Sequence, residues 1–102
     1  MSSMIETAQK EMVRNEILKM CDTVGAQGAS EQVLRAGLRK LGIQLSEGDI
    51  SKQVAYLEGK SLVTVDRIDN ARLGINRSIV KITPAGMDVL EGNADVLGVA
   101  AD

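Results

Sequence analysis

Apolar residues in this chain recur at helical spacing up to Lys60 and then give way to two β-branched runs, and that switch of period restricts the fold more than any other feature. Ile5, Ala8, Met12, Val13, Ile17, Met20 and Cys21 alternate with Glu6, Lys10, Glu11, Arg14 and Lys19, the pattern of an amphipathic first helix. The stretch TVGAQGA at 23–29 carries two glycines and no apolar period. Ser30 then precedes Glu31 and opens a second helix, in which Leu34, Leu38 and Leu41 are expected on one face, with Arg35, Arg39 and Lys40 elsewhere. Gly42 is placed to end it. Ser46 caps a third helix whose first turn holds Glu47 and Asp49, where the helix dipole favours carboxylates. Ile50, Val54 and Leu57 form its buried stripe.

Beyond Lys60 the runs LVTVDRID and RSIVKI read as strands joined by the turn-like NARLGIN, a hairpin with a long tip. Thr83 and Pro84 then supply a cap and a first helical residue, and Met87 and Leu90 are expected to pack a short fourth helix inward before Gly92 stops it. Three helices, a hairpin and a helix make a mainly α fold with a small β-hairpin: a winged helix-turn-helix with a three-helix core, a two-stranded wing and a short C-terminal helix. One domain is expected over 1–92. Residues 93–102 are expected to form a flexible tail whose Val96, Leu97 and Val99 could dock on a partner subunit.

Composition narrows the function. The chain has no His and a single Cys21, so histidine metal sites, thiolate metal sites and histidine-based catalytic sets are excluded, and no cofactor is implied. Cys21 stands at an apolar helical position, a core thiol suited to a reducing compartment. The carboxylates are spread as on any solvated domain, with no convergent acid–base set and no evident small-molecule substrate, so an enzyme is not expected. The start MSSMIETAQKEM lacks the basic and apolar regions of a leader, and no stretch nears the roughly 18 apolar residues of a membrane span. A cytoplasmic protein is the expectation. The formal charge is −2, and residues 30–92 carry nine basic and eight acidic groups, a net of +1 that does not favour tight non-specific nucleic-acid binding.

The phrase LSEGDISKQVAYLEGKSLV, from Leu45 to Val63, resembles the recognition-helix signature of winged-helix regulators such as the MarR, ArsR and PadR families. KITPAGMDVLEG at 81–92 is similar to the phrase that closes their wing and opens the next helix. More closely, VLRAGLRKLGIQLSEGDISKQVAYLEGKSLVTV resembles small winged-helix proteins of Mu-like prophages. The chain departs from these patterns at Ser61, where the family phrase has Gly, and in its GVAAD tail, where a basic ending is expected. The resemblance implies a phage or bacterial transcriptional regulator that reads double-stranded DNA with helix 46–60 and the wing 62–82; a homodimer, expected through an apolar stripe of the first helix, would suit a palindromic site.

With Ile50, Val54 and Leu57 inward, the expected outward residues of the third helix are Asp49, Ser51, Lys52, Gln53 and Tyr56. Lys52 suits phosphate or guanine and Gln53 suits adenine, while Ser51 and Tyr56, the only aromatic residue, suit the backbone. In the wing, Arg67, Arg72 and Arg77 are the candidate contacts, with Arg72 in the tip ARLG preferred. Glu47, Asp49 and Glu58 would oppose phosphates if they faced the duplex. The alternative is a protein-interaction or dimerisation module on the same scaffold, using Val13, Ile17 and Met20 where the core leaves them uncovered.

Overall fold

The computed structural model describes residues 3–92 and 98–99, with side chains from residue 7 onward. Helix α1 spans Ser3–Val24, a 3-10 turn Gly25–Gln27 follows, and strand β1 is Ala29–Ser30. Helices α2 (Glu31–Lys40) and α3 (Glu47–Gly59) come next, then strands β2 (Val63–Asn70) and β3 (Ile75–Ile82), and helix α4 (Pro84–Leu90). This is the winged helix-turn-helix arrangement, with one addition. The sheet has three strands in the order β1-β3-β2, because Ala29 and Ser30 pair with Val80 and Ile79. Gly28 permits that approach: its φ is +75°, and a Cβ there would meet the side chains of Ile79 and Lys81 at 2.8 and 2.7 Å. No described helix is long and apolar enough to cross a membrane.

Local chemistry sets the helix ends. The side chains of Ser30 and Thr83 accept from the backbone N–H of Val33 and Gly86, capping α2 and α4. Ser46 accepts from the Asp49 N–H while Asp49 accepts from the Ser46 N–H, a reciprocal cap on α3. Helices α2 and α3 both close with a left-handed residue. After α2 it is Gly42 at φ +84°, with Ile43 N–H reaching back to the Leu38 carbonyl at 2.9 Å. After α3 it is Ser61 at φ +61°, with Leu62 N–H bonded to the Leu57 carbonyl at 3.0 Å.

The core joins Ile17, Leu18 and Cys21 of α1, Leu34 and Leu38 of α2, and Ile50, Val54 and Leu57 of α3 with Leu62, Val63 and Val80 at the sheet base. All of these side chains are fully or almost fully buried. Several expectations change here. Leu41 is 57% exposed: α2 ends at Lys40, so the helical spacing does not extend to Leu41, and Ile43 packs against the core after the turn. Met87 is also exposed, because α4 meets the body through Gly86 and Val89, with Gly86 seated against the Leu62 carbonyl. Val13 and Ile17 are buried and Met20 packs against Gly37 of α2, so the first helix offers no uncovered stripe at those three positions. Among the described side chains of α1, Met12 is the exposed large apolar residue instead, 57% open. The tail expectation over 93–102 falls, at 93–97 and 100–102, outside the described residues. Val99 lies within the core cluster, 8% exposed.

Candidate nucleic-acid interface

Helix α3 runs across the surface with Ile50, Val54 and Leu57 sealed beneath it, which fixes the side it turns outward. Its outer line is Gly48, Lys52, Ala55 and Gly59, at spacings of four, three and four residues, and all four are exposed. Three of them have little or no side chain, so another surface can approach the backbone closely along this line, and Lys52 is the cation within it. Ser51 stands beside it and donates to Glu31 Oε1 at 2.7 Å, tying α3 to the first turn of α2 and leaving the Ser51 oxygen as an acceptor. Asp49 serves the cap, and Glu47 lies 3.7 Å from Arg35.

Gln53 and Tyr56 do not share this outward line. Both are half-buried and turn toward α1, where Arg14 gathers them. The Arg14 Nε donates to Gln53 Oε1 at 2.8 Å, its guanidinium lies 3.6 Å from the centroid of the Tyr56 ring, and one terminal nitrogen donates to the Gly98 carbonyl at 2.7 Å. Arginine has no acceptor, so the Gln53 oxygen must face it. Bidentate adenine recognition needs that same oxygen, so Gln53 cannot offer it in this arrangement. Gly98 packs against the Tyr56 hydroxyl, and Lys60 lies 5.6 Å from the ring centroid.

The wing extends beyond the core as an eight-residue ladder from Val63↔Ile82 to Asn70↔Ile75. Its tip is shorter than expected, residues 71–74, because Asn70 and Ile75 remain paired. Asn70 organises the tip by accepting from the Leu73 N–H at 3.2 Å. Arg72 is exposed in that tip beside Leu73, itself 69% exposed. Arg77 borders a cleft of about 260 Å³ between β3, α2 and α3, whose lining also includes Arg35, Glu31 and Glu47. Among the described residues, the side chains of Lys52, Arg72 and Arg77 form no ion pair or hydrogen bond.

Arg67 differs. Its terminal nitrogens hold Glu58 through both carboxylate oxygens, at 2.9 and 3.2 Å, joining β2 to the end of α3. Hydrogen bonding from Arg67, with its charge, holds the Glu58 carboxyl below its ordinary value, and the Arg67 guanidinium is raised by the same contact. Lys81 is paired across the ladder with Asp66 at 2.9 Å.

The structure thus places Ser51 and Lys52 near one another on α3 and sets Arg72 and Arg77 along the wing, while it turns Gln53 and Tyr56 inward. Sequence reasoning passed over Gly48, Ala55 and Gly59, although their spacing from Lys52 carries the signal. It also passed over Arg14 as a partner of α3. That contact spans 39 residues and leaves no local trace.

The fold is similar to that of a PadR-like transcription factor from Bacteroides fragilis solved by X-ray crystallography, with a TM-score of 0.74, 17% sequence identity and coverage of 88% of this chain and 84% of that one. At that identity the likeness establishes the shared winged-helix fold. No family model matches the chain, and no curated protein matches it in sequence.

Proposed function

We propose that this chain is a DNA-binding winged-helix protein, a phage or bacterial transcriptional regulator that lays α3 in the major groove and reaches the flanking backbone with its wing. The observation that carries this reading is the outward line Gly48–Lys52–Ala55–Gly59 beside a wing bearing the uncommitted cations Arg72 and Arg77. The major groove admits an α-helix, and the small residues at Gly48, Ala55 and Gly59 let the backbone of α3 approach the base edges closely around Lys52. Lys52 then meets a guanine edge or a phosphate, Ser51 accepts from a base amino group, and Arg72 enters the minor groove or contacts phosphate from the tip. The likeness to a transcription factor rather than to an enzyme supports a non-catalytic role. The same likeness and the absence of a membrane-spanning helix among the described residues support action in the cytoplasm.

Fluorescence anisotropy with labelled duplexes tests this. Lys52→Ala and Arg72→Ala should each weaken binding and flatten the dependence of log K on log salt by about 0.9, the share of one phosphate contact. Unchanged affinity in both variants would remove the proposed contacts.

One observation favours a second reading. Met12, Val13, Ile43 and Leu45 line a groove between α1 and the α2–α3 connection, and Met12 is largely exposed there. Such a surface suits a protein partner or a second copy, and the acidic net charge of −2 agrees with it. Under this reading the chain is a dimerisation or interaction module, and duplex binding is absent at any salt.

A further inference from the structure

Of the three arginines in the wing, Arg67 alone is committed within the described residues. It lies midway along the wing opposite Ser78, on the same sheet face as Val65 and Val80, where it reaches Glu58 in the last turn of α3. There both of its terminal nitrogens are taken by Glu58, and the pair is solvent-accessible, with side-chain exposures of 60% for Arg67 and 35% for Glu58. Most exposed ion pairs add little to stability, but this one has the bidentate fork geometry in which such a pair holds. Its consequence is electrostatic. The cation beside the recognition helix is cancelled, and a carboxylate occupies the position a DNA phosphate would take opposite a guanidinium fork.

We propose that Glu58 acts as a brake on sequence-independent DNA binding, a specificity-determining residue that keeps Arg67 from the phosphate backbone. The proposal rests on the DNA-binding reading above and deepens it. Phosphates are present at every site on a duplex, so a cation that pairs with them strengthens all sites equally and adds no discrimination. Holding Arg67 on Glu58 leaves Lys52, Arg72 and Arg77 to supply a modest backbone term, and a larger share of the affinity then depends on what the outer line of α3 meets. The +1 balance of residues 30–92 has the same effect across the whole surface, and Glu58 applies it where the helix and wing converge.

The substitution Glu58→Gln removes the charge while keeping the volume and an oxygen that accepts from Arg67, so the fold is retained. The probe is a random-sequence 25-base-pair duplex, read by anisotropy at 50 and 200 mM salt. One released phosphate contact tightens binding by up to about fifteenfold at 50 mM and about fourfold at 200 mM, with a salt slope steeper by about 0.9. Glu58→Gln should gain much less in the Arg67→Ala background, where it can act only through space, and Arg67→Ala alone should weaken binding modestly because it leaves the Glu58 carboxylate unpaired.

Wild-type binding with no gain in Glu58→Gln would overturn the brake and leave the DNA reading standing. A gain of equal size in the Arg67→Ala background would overturn it too, since the effect would then be the removal of one negative charge from the surface. Failure of every variant to bind at 50 mM would overturn both the brake and the reading beneath it.

Discussion

Replacing Ser61 with glycine should stabilise this protein. Ser61 is a non-glycine residue with positive φ, +61°, at the junction where α3 turns into the wing. Its N–H bonds to the Glu58 carbonyl at 2.9 Å, the following Leu62 N–H reaches Leu57, and both leucines are buried, so the turn cannot relax without opening the core. A left-handed residue with a Cβ costs about 1–2 kcal/mol, and glycine returns about 0.5–1 kcal/mol of that as extra freedom in the unfolded chain. The Ser61 side chain is exposed and its carbonyl, which accepts from the Thr83 hydroxyl at 2.8 Å, is kept by any substitution. The net gain is therefore about 0.5–1 kcal/mol, or about 2–8 °C in Tm for a domain of this size. Thermal unfolding followed by circular dichroism measures it, with Gly42→Ala at the equivalent turn after α2 as the opposite control, expected to lose about 1 kcal/mol. A Ser61→Gly variant no more stable than wild type, or less stable, would refute the left-handed turn and with it the placement of the wing against α3.

Two further expectations concern the packing around the site. Arg14→Ala removes two charge-assisted hydrogen bonds and the stacking on Tyr56, and should cost about 2–3 kcal/mol in urea unfolding, with Arg14→Lys recovering less than half because an ammonium cannot span Gln53, the ring and the Gly98 carbonyl at once. Burial pushes the Cys21 thiol up to about 11. Because the folded state raises this value, the stabilisation is fully present below the ordinary thiol range and is lost as pH rises toward 11. Unfolding free energy should fall between about pH 9 and 11 in wild type and stay flatter in Cys21→Ala, and a thiol reagent at pH 8 should react only after denaturant is added.

Much of the fold was legible because its determinants are local. Ser30, Ser46 and Thr83 announce three helix starts by chemistry that acts within three residues, and Ile50, Val54 and Leu57 mark the underside of α3 by spacing alone. What escaped depends on distant partners. Two residues cannot show a strand pattern, so β1 exists only because Gly28 lets Ala29 and Ser30 reach β3. Leu41 followed the periodicity one step past the end of its helix, and the turn at Gly42 then handed the core position to Ile43.

The candidate interface divides the same way. Lys52, Arg72 and Arg77 stand uncommitted among the described residues. Gln53 and Tyr56 were drawn inward by Arg14, and Arg67 was taken by Glu58. Helical phase separates the outer line of α3 from its flanks, yet Gln53, Tyr56 and Glu58 are each claimed by an arginine from another element and Ser51 by Glu31 of α2.

The most direct test of the central claim is an amide-resolved NMR titration of the labelled protein with a 25-base-pair duplex at 50 mM salt. Shift changes should concentrate at residues 47–59 and 70–77, with Lys52, Ala55 and Arg72 among the largest and α4 unaffected. Changes confined to α1 and the Met12 groove, or none at saturating duplex, would contradict it.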